Sequence, residues 1–186
     1  KSVAVNMMNR EEVILVDIND NPTGVADKMS AHLEGKLHRA FSIFIFNTEG
    51  KMLLQRRALS KYHSGGLWTN ACCSHPLPEE NTLAAASRRL KEELGFETAI
   101  EKIFDFVYKA EFENGLTEYE FDHVFAGEFD GAINFNKEEV MEMSVESISS
   151  IKESMSAAPE NYTAWFQIAF PKVEAWRNEQ IKNKVA

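Results

Sequence analysis

One apolar stretch constrains the fold of this chain more than any other feature of its sequence. Residues 40–46 read AFSIFIF, and residues 51–57 read KMLLQRR. A run of this kind is typical of a buried strand, and the intervening Thr48-Glu49-Gly50 predicts a hairpin turn to a returning strand. We therefore expect the alternating sets Phe41/Ile43/Ile45 and Phe44/Phe46 to serve as core packing.

The rest of the chain mixes strand and helix signals. Asn81 or Thr82 as N-cap and Gly95 as stop predict a helix over residues 82–94, and Pro171 predicts a kink or a division in a helical tail. Most of residues 58–80 is predicted to be loop. The other predicted strands are residues 13–16, 104–111, 116–127 and 140–145, and the other predicted helices are residues 147–155 and 162–184.

These elements predict one α/β (α+β) domain over residues 1–186, with a mixed β-sheet sandwiched between helices. Residues 1–11 are expected to be an N-terminal extension that is partly vector-derived, because the chain does not begin with Met.

Charge and cysteine content narrow the class of protein. A net charge of −9 argues against a nucleic-acid partner, which would need a basic surface. No apolar run approaches eighteen residues, so no membrane partner is expected. Cys72 and Cys73 are adjacent and poorly placed for a disulfide, which favours a cytoplasmic protein.

Residues 80–96 resemble the Nudix box, whose pattern is G-x5-E-x7-R-E-U-x-E-E-x-G-U. Glu92 and Glu93 can hold a hard divalent cation that bridges a diphosphate, although such a pair is also compatible with a solvated helix face. The chain departs from the box at two positions. It has Ser74 where the box has Gly, and Arg89 where the box has Glu. The substitution at Arg89 removes a carboxylate and adds bidentate donors for phosphate, which indicates binding of a diphosphate without hydrolysis.

Blocks on both sides of the box resemble the type I isopentenyl-diphosphate Δ-isomerases. They are R-x-x-S-K at residues 57–61, W-T-N-x-x-C-x-H-P at 68–76, LHRAF at 37–41 and TEYEF at 117–121. Counterparts extend from about residue 12 to about residue 170. The resemblance implies a Nudix-like fold and conversion of isopentenyl diphosphate to dimethylallyl diphosphate in isoprenoid biosynthesis, without flavin, by a monomer or weak homodimer.

The resemblance also assigns residues. The acid/base and reacting-carbon residues it implies are Cys73, Glu120 and Tyr108. The substrate contacts it implies are Lys28, Arg57, Lys61, Arg89 and Trp165. The ligands it implies for a site holding Mn²⁺, Mg²⁺ or Zn²⁺ are His32, His38, His75, Glu118 and Glu120. Glu93 corresponds to the ligand of a second Mg²⁺ that arrives with the diphosphate, whereas Cys72 is expected to pack, and His63 and His123 are expected to be structural or at the surface.

The residues suit that chemistry. An unactivated alkene needs one group to deliver a proton and another to remove one, and Cys73 and Glu120 can supply the pair. Glu118, Glu120 and Asp122 alternate along a predicted strand and therefore point to one face. Inward-facing carboxylates need a metal or protonation. Three imidazoles and two carboxylates suit Mn²⁺, Zn²⁺ or Mg²⁺.

Two other functions are compatible with parts of the sequence. A Nudix hydrolase of a nucleoside diphosphate derivative shares the Glu-rich helix, but it is disfavoured by Ser74 and Arg89 and leaves Cys73 without a role. A non-catalytic module that only binds a metal or a diphosphate is disfavoured because every candidate catalytic residue is present.

Overall fold

The computed structural model describes residues 12–186, and the predicted extension over residues 1–11 lies outside them. Within this part of the chain, nine strands form one mixed sheet. The strands are β1 (Glu12–Val16), β2 (Pro22–Asp27), β3 (His38–Phe46), β4 (Met52–Arg57), β5 (Trp68–Thr69), β6 (Cys72–Ser74), β7 (Ile100–Glu111), β8 (Thr117–Glu128) and β9 (Val140–Glu146). The helices are α1 (Lys28–Glu34), α2 (Thr82–Leu94), α3 (Ile148–Ala157) and α4 (Ala164–Val185), with a 3₁₀ turn at Pro159–Asn161.

β3 is the centre of the sheet. It pairs in parallel with β8, from His38 opposite Glu120 to Phe46 opposite Glu128. It also pairs antiparallel with β6, which sets Ser42 opposite Cys73. β7 and β8 form the long hairpin that the Asn114-Gly115 turn predicts. These pairings bring the sequence blocks singled out above into neighbouring strands.

The two faces of β3 bury different helices. Phe44 and Phe46 pack in one core cluster with Phe166 and Phe170 of α4. The other face of β3 packs in a second cluster, which contains Phe41, Ile43 and Ile45 of β3 and Ala85, Leu90 and Leu94 of α2. The prediction of a buried strand in a sheet between helices is confirmed.

Helix α2 begins and ends where its capping residues predict. The Asn81 side chain accepts a hydrogen bond from the Ala84 backbone N–H at 3.1 Å, and Gly95 adopts φ 74° as the left-handed C-cap. A Cβ at Gly95 would lie 2.5 Å from the Asn134 carbonyl oxygen, so glycine is required at this position for two reasons.

Several elements differ from the sequence-based expectations. Helix α4 is continuous through Pro171, so the helix is not divided there; the buried side chains of Phe170 and Val173 on either side hold it against the sheet. Residues 28–34 form a helix, which is not among the helices predicted from the sequence. The predicted loop contains the short strands β5 and β6, because β6 hydrogen-bonds to β3. Across residues 12–186, no helix combines the length and apolar character needed to cross a bilayer.

Candidate active site

Three acidic side chains of β8 face one cavity. Glu118, Glu120 and Asp122 are each at least nine-tenths buried, and all three line it together with Cys73 and Trp165. Because they alternate along the strand, they share a face, as the sequence predicts. Such a concentration of buried carboxylates requires positive charge or protons close by.

Imidazoles from three elements converge on these carboxylates. His38 lies opposite Glu120 in the parallel register, and its Nε2 is 3.5 Å from Glu120 Oε1. His75 follows β6, and its Nε2 is 3.2 Å from the same oxygen. His32, on α1, has its Nε2 3.9 Å from Glu118 Oε2. The ligand atoms of His32, His38, His75 and Glu120 all lie within 4.8 Å of one another.

Backbone carbonyls fix the orientation of two of the rings. His32 Nδ1 is 2.6 Å from the Lys28 carbonyl oxygen, and His38 Nδ1 is 2.9 Å from that of Lys36. A carbonyl oxygen only accepts, so Nδ1 carries the proton and Nε2 presents its lone pair to the cluster. His38 Nε2 is buried without a hydrogen-bond partner among the residues that the structure describes. This arrangement fits a divalent cation bound by nitrogen and oxygen donors.

The same packing separates the protonation states of the carboxylates. Burial raises the pKa of Glu120, but the imidazoles of His38 and His75 outweigh it and hold that pKa well below its ordinary value. Burial, and then the charge of Glu120, raises the pKa of Asp122 well above its ordinary value. Burial lowers the pKa of His75 to about 3. At neutral pH Glu120 is therefore ionised beside a neutral imidazole.

Cys73 lies on the opposite side of β3 from β8 and carries its proton. Trp165 Nε1 donates to its sulfur at 3.1 Å, and the thiol donates to Asn70 Oδ1 at 3.1 Å. Burial, and then the charge of Asp122, raises the pKa of the Cys73 thiol to about 12. Cys73 is therefore a neutral acid in the same cavity as an ionised carboxylate.

Tyr108 joins the two glutamates. It lies opposite Glu120 in the β7–β8 register. Its hydroxyl contacts Glu118 Oε1 and lies 3.0 Å from Glu120 Oε2. Burial, and then the charge of Glu118, raises the pKa of Tyr108 well above its ordinary value, so the phenol stays neutral.

A second cavity adjoins the first and is lined by cations. Its lining includes Lys28, Arg57, Lys61 and Arg89, and it shares Cys73 and His75 with the first cavity. The Arg57 guanidinium lies 5.1 Å from the Trp165 ring and lines both cavities. An anion and an attached apolar group could thus occupy adjoining spaces.

Acidic partners hold two of these cations in place. Arg89 donates to Glu92 at 2.6 Å and to Glu93 at 2.7 Å, and Lys61 contacts Glu139. Arg89 and Lys61 therefore lie in ion pairs with acidic side chains at the wall of this cavity.

Comparison with known proteins shows the family of this chain. A family model described as NUDIX domain matches residues 36–166. An isopentenyl-diphosphate Delta-isomerase from Pectobacterium atrosepticum is 48% identical, over 92% of this chain and 98% of its own length. One from Serratia proteamaculans is 49% identical, over 84% of this chain and 87% of its own length.

The chain belongs to the isopentenyl-diphosphate Δ-isomerase family. Solved structures of more distant proteins show the NUDIX fold alone. A Deinococcus radiodurans protein has a TM-score of 0.67 at 19% identity and covers 79% of this chain and 90% of its own. A MutT protein from Methanosarcina mazei has a TM-score of 0.63 at 20% identity and covers 77% of this chain and 95% of its own.

Within this isomerase-family chain, the structure places His63 beside the carboxylates of β8. His63 was expected to be structural or at the surface, but it is buried, and its Nε2 lies 2.5 Å from Glu118 Oε2. The only sequence signal was its position two residues after Lys61, a predicted substrate contact. His123 is structural as expected, because it pairs with Asp20 at 2.9 Å. Cys72 is buried in the core, as predicted.

Proposed function

We propose that this chain converts isopentenyl diphosphate to dimethylallyl diphosphate by adding a proton to the alkene at one carbon and removing one from another. The observation that carries this proposal is the pairing of a protonated Cys73 with an ionised Glu120 in one cavity, beside a cavity lined by cations. Similarity to proteins named isopentenyl-diphosphate Delta-isomerase supports the substrate and the type of reaction. The reaction belongs to isoprenoid biosynthesis.

The cationic cavity binds the diphosphate. Lys28, Arg57, Lys61 and Arg89 supply its positive charge, with Arg89 in the place of the box glutamate. A guanidinium can donate two parallel hydrogen bonds to phosphate oxygens. Glu93 is the proposed ligand of a Mg²⁺ that arrives with the substrate.

The cluster beside the first cavity fits a resident divalent cation. His32, His38, His75, Glu118 and Glu120 would hold it, and the buried, unpaired Nε2 of His38 supports this assignment. The donors suit Mn²⁺, Zn²⁺ or Mg²⁺. When bound, such an ion supplies positive charge that fixes the carboxylates and tunes their basicity. No flavin is needed for proton chemistry of this kind.

The acid/base pair shares one proton at the start of the cycle. Cys73 and Glu120 exchange protons with the two ends of the allylic unit, so the protein's proton count is restored after each turnover. The tertiary carbocation that arises between the two transfers needs stabilisation. The Trp165 ring, whose indole N–H lies 3.1 Å from the Cys73 sulfur, offers a π-face worth about 2 kcal/mol when desolvated. Tyr108 orients Glu120 from the opposite strand.

Hydrolysis of a nucleoside diphosphate derivative is not favoured. Arg89 stands where the box has a glutamate, so the helix offers one carboxylate fewer to a hydrolytic metal cluster, and its guanidinium pairs with Glu92 and Glu93 instead. We further propose a cytoplasmic location, one domain over residues 1–186, and a monomer or weak homodimer without nucleic-acid or membrane partners.

Proton NMR tests the proposed function directly. The purified chain is incubated with isopentenyl diphosphate and Mg²⁺ in deuterated water, without flavin. We expect dimethylallyl diphosphate that carries deuterium at the exchanging carbons. Absence of conversion, together with phosphate release from nucleoside diphosphates, would contradict the proposal and favour the hydrolase.

A further inference from the structure

A fourth buried imidazole approaches the cluster from the Glu118 side. His63 lies in the loop between β4 and β5 and is 5% exposed. Its Nε2 is 2.5 Å from Glu118 Oε2. Glu118 also lies 3.9 Å from His32 Nε2, so two imidazole nitrogens face the same carboxylate oxygen.

The contact between His63 and Glu118 is not a hydrogen bond. His63 Nε2 has no hydrogen-bond partner within residues 12–186, despite its short distance from Glu118 Oε2. Its Nδ1 faces Ser64 Oγ at 3.1 Å. Among the described residues, His63 Nε2 is thus buried and unsatisfied although a carboxylate oxygen lies beside it, and a cation shared with that oxygen would satisfy the nitrogen.

The loop holds the His63 ring in place. The ring stacks on Phe112 with centroids 4.5 Å apart and an interplanar angle of 14°. Asn114 donates to the Tyr62 carbonyl oxygen at 3.1 Å, which ties the loop to the turn of the β7–β8 hairpin. A Cβ at Gly65 would lie 2.8 Å from the Leu59 carbonyl oxygen, so the turn after His63 is tightly packed. A donor that is fixed in this way loses little freedom when it binds a ligand.

His63 also completes a second compact group of donors. The ligand atoms of His32, His63 and Glu118 lie within 4.8 Å of one another, the same limit that encloses His32, His38, His75 and Glu120. His32 belongs to both groups, and its Nδ1 is occupied by a backbone carbonyl. Because His32 Nε2 can bind only one ion, an ion held by His32 lies near donors of both groups.

We propose that His63 is a direct ligand of the divalent cation held by this cluster. The inference rests on the metal centre of the proposed function and adds a donor to it. Five donors leave one position of an octahedron open, and His63 supplies the sixth. The resulting set of four nitrogens and two oxygens favours Zn²⁺, Co²⁺ or Mn²⁺ over Mg²⁺, which prefers oxygen ligands.

Nitrogen NMR of the full chain distinguishes ligation from mere proximity. Histidine is labelled with ¹⁵N, the protein is stripped with a chelator, and Zn²⁺ alone is added. Long-range proton–nitrogen spectra report whether each ring nitrogen is protonated, free or metal-bound. We expect His63 Nε2 to change to a metal-bound shift together with Nε2 of His32, His38 and His75. If the ¹⁵N chemical shift of His63 Nε2 stays unchanged while those of His32, His38 and His75 change, the inference is overturned but the proposed metal centre stands.

Affinity for Co²⁺ provides a second measurement. His63→Phe keeps an aromatic ring to stack on Phe112 but removes the donor. We expect its affinity for Co²⁺ to fall at least about tenfold, with an altered visible absorption spectrum. His123→Gln is the matched control, because this buried histidine pairs with Asp20 away from the cluster. Equal affinity and identical spectra for His63→Phe and the unaltered chain would contradict ligation by His63.

These experiments distinguish a failure of the inference about His63 from a failure of the proposed function. If the unaltered chain isomerises isopentenyl diphosphate while His63 Nε2 stays unshifted, the inference about His63 is wrong and the proposed function stands. If Zn²⁺ shifts none of the four imidazoles, the proposed metal centre and the inference fail together.

Discussion

At the scale of single residues, the site depends on two groups in one cavity whose pKa values are shifted in opposite directions. Cys73 keeps its proton because it is buried near Asp122, whereas Glu120 loses its proton because His38 and His75 face it. Because side chains alternate between the two faces of a strand, Glu118, Glu120 and Asp122 could be placed on one face of β8 from the sequence. His63 could not be placed, because its contact with Glu118 depends on how a loop folds across fifty intervening residues.

Removing either member of the acid/base pair should stop catalysis without abolishing binding. We expect Cys73→Ala and Glu120→Gln each to lower turnover by about 10²-fold or more. Affinity for pyrophosphate, measured by calorimetry, should remain close to normal because the cations of the second cavity are unchanged. Cys72→Ala is the control, since Cys72 packs in the core on the other face. Near-normal turnover in either variant would show that the acid/base assignment is wrong.

Glu118 should affect metal content before it affects the substrate. The change Glu118→Gln keeps the shape of the side chain but removes a charged oxygen donor. We expect a lower ratio of metal to protein after dialysis, measured by elemental analysis. An unchanged ratio would remove Glu118 from the ligand set.

At the scale of secondary-structure elements, helix α2 shows what local sequence can and cannot specify. Its caps at Asn81 and Gly95 were predictable because capping is a short-range hydrogen-bond requirement. Helix α1 was missed because seven residues are too short to display a helical period. β6 was missed because a three-residue strand exists only through its pairing with β3.

The C-cap of α2 gives a matched comparison between two glycines. Gly95 and Gly115 both have positive φ, at 74° and 81°. A Cβ at Gly95 meets the Asn134 carbonyl oxygen, whereas a Cβ at Gly115 meets nothing within 4 Å. Gly115→Ala should cost about 1 kcal/mol in the free energy of unfolding from backbone strain alone. Gly95→Ala should cost clearly more in urea unfolding, and equal losses would show that the close contact has no energetic effect.

The ion pair between Glu80 and Arg88 should make α2 sensitive to acid. Burial raises the pKa of Glu80, but the Arg88 guanidinium, at 2.8 and 2.9 Å, holds it below its ordinary value. A depressed carboxyl pKa stabilises the fold above the unfolded pKa, and this contribution is lost as pH falls through the folded value.

We therefore expect Glu80→Gln to lower the free energy of unfolding by about 1 kcal/mol at pH 7. The difference from the unaltered chain should shrink as pH falls below the ordinary carboxyl range and vanish once the pH lies below the lowered pKa of Glu80. Urea unfolding across this range measures the effect, with the exposed neighbour changed in Glu79→Gln as control. A difference that persists at low pH would show that the effect is not electrostatic.

At the scale of the whole molecule, the proposed ligands tie together distant parts of the chain. They come from α1, β3, the segment after β6 and β8. Local patterns predicted β3 and β8 but not α1 or β6, and the parallel pairing of β3 with β8 is a long-range contact that such patterns do not encode. The resemblance to a known family supplied what local propensity could not.

Metal removal should therefore weaken the entire fold. A ligand that binds only the native state at a free concentration one hundred times its dissociation constant adds about 2.7 kcal/mol. We expect the thermal midpoint to rise when Mn²⁺ is added to chelator-treated protein, and to rise less in Glu118→Gln. A midpoint independent of Mn²⁺ in calorimetry would be inconsistent with an ion bound at this cluster.

The parallel pairing of β3 with β8 has a consequence for synthesis on the ribosome. The AFSIFIF segment of β3 emerges long before its partner, since β8 ends at Glu128. At roughly 5–20 residues per second, the nascent chain exposes this segment for several seconds before the central sheet can close. A highly apolar strand waiting that long is an aggregation hazard. This chain should therefore depend on chaperones that bind nascent polypeptides more strongly than a protein of equal size whose strands pair with their immediate neighbours.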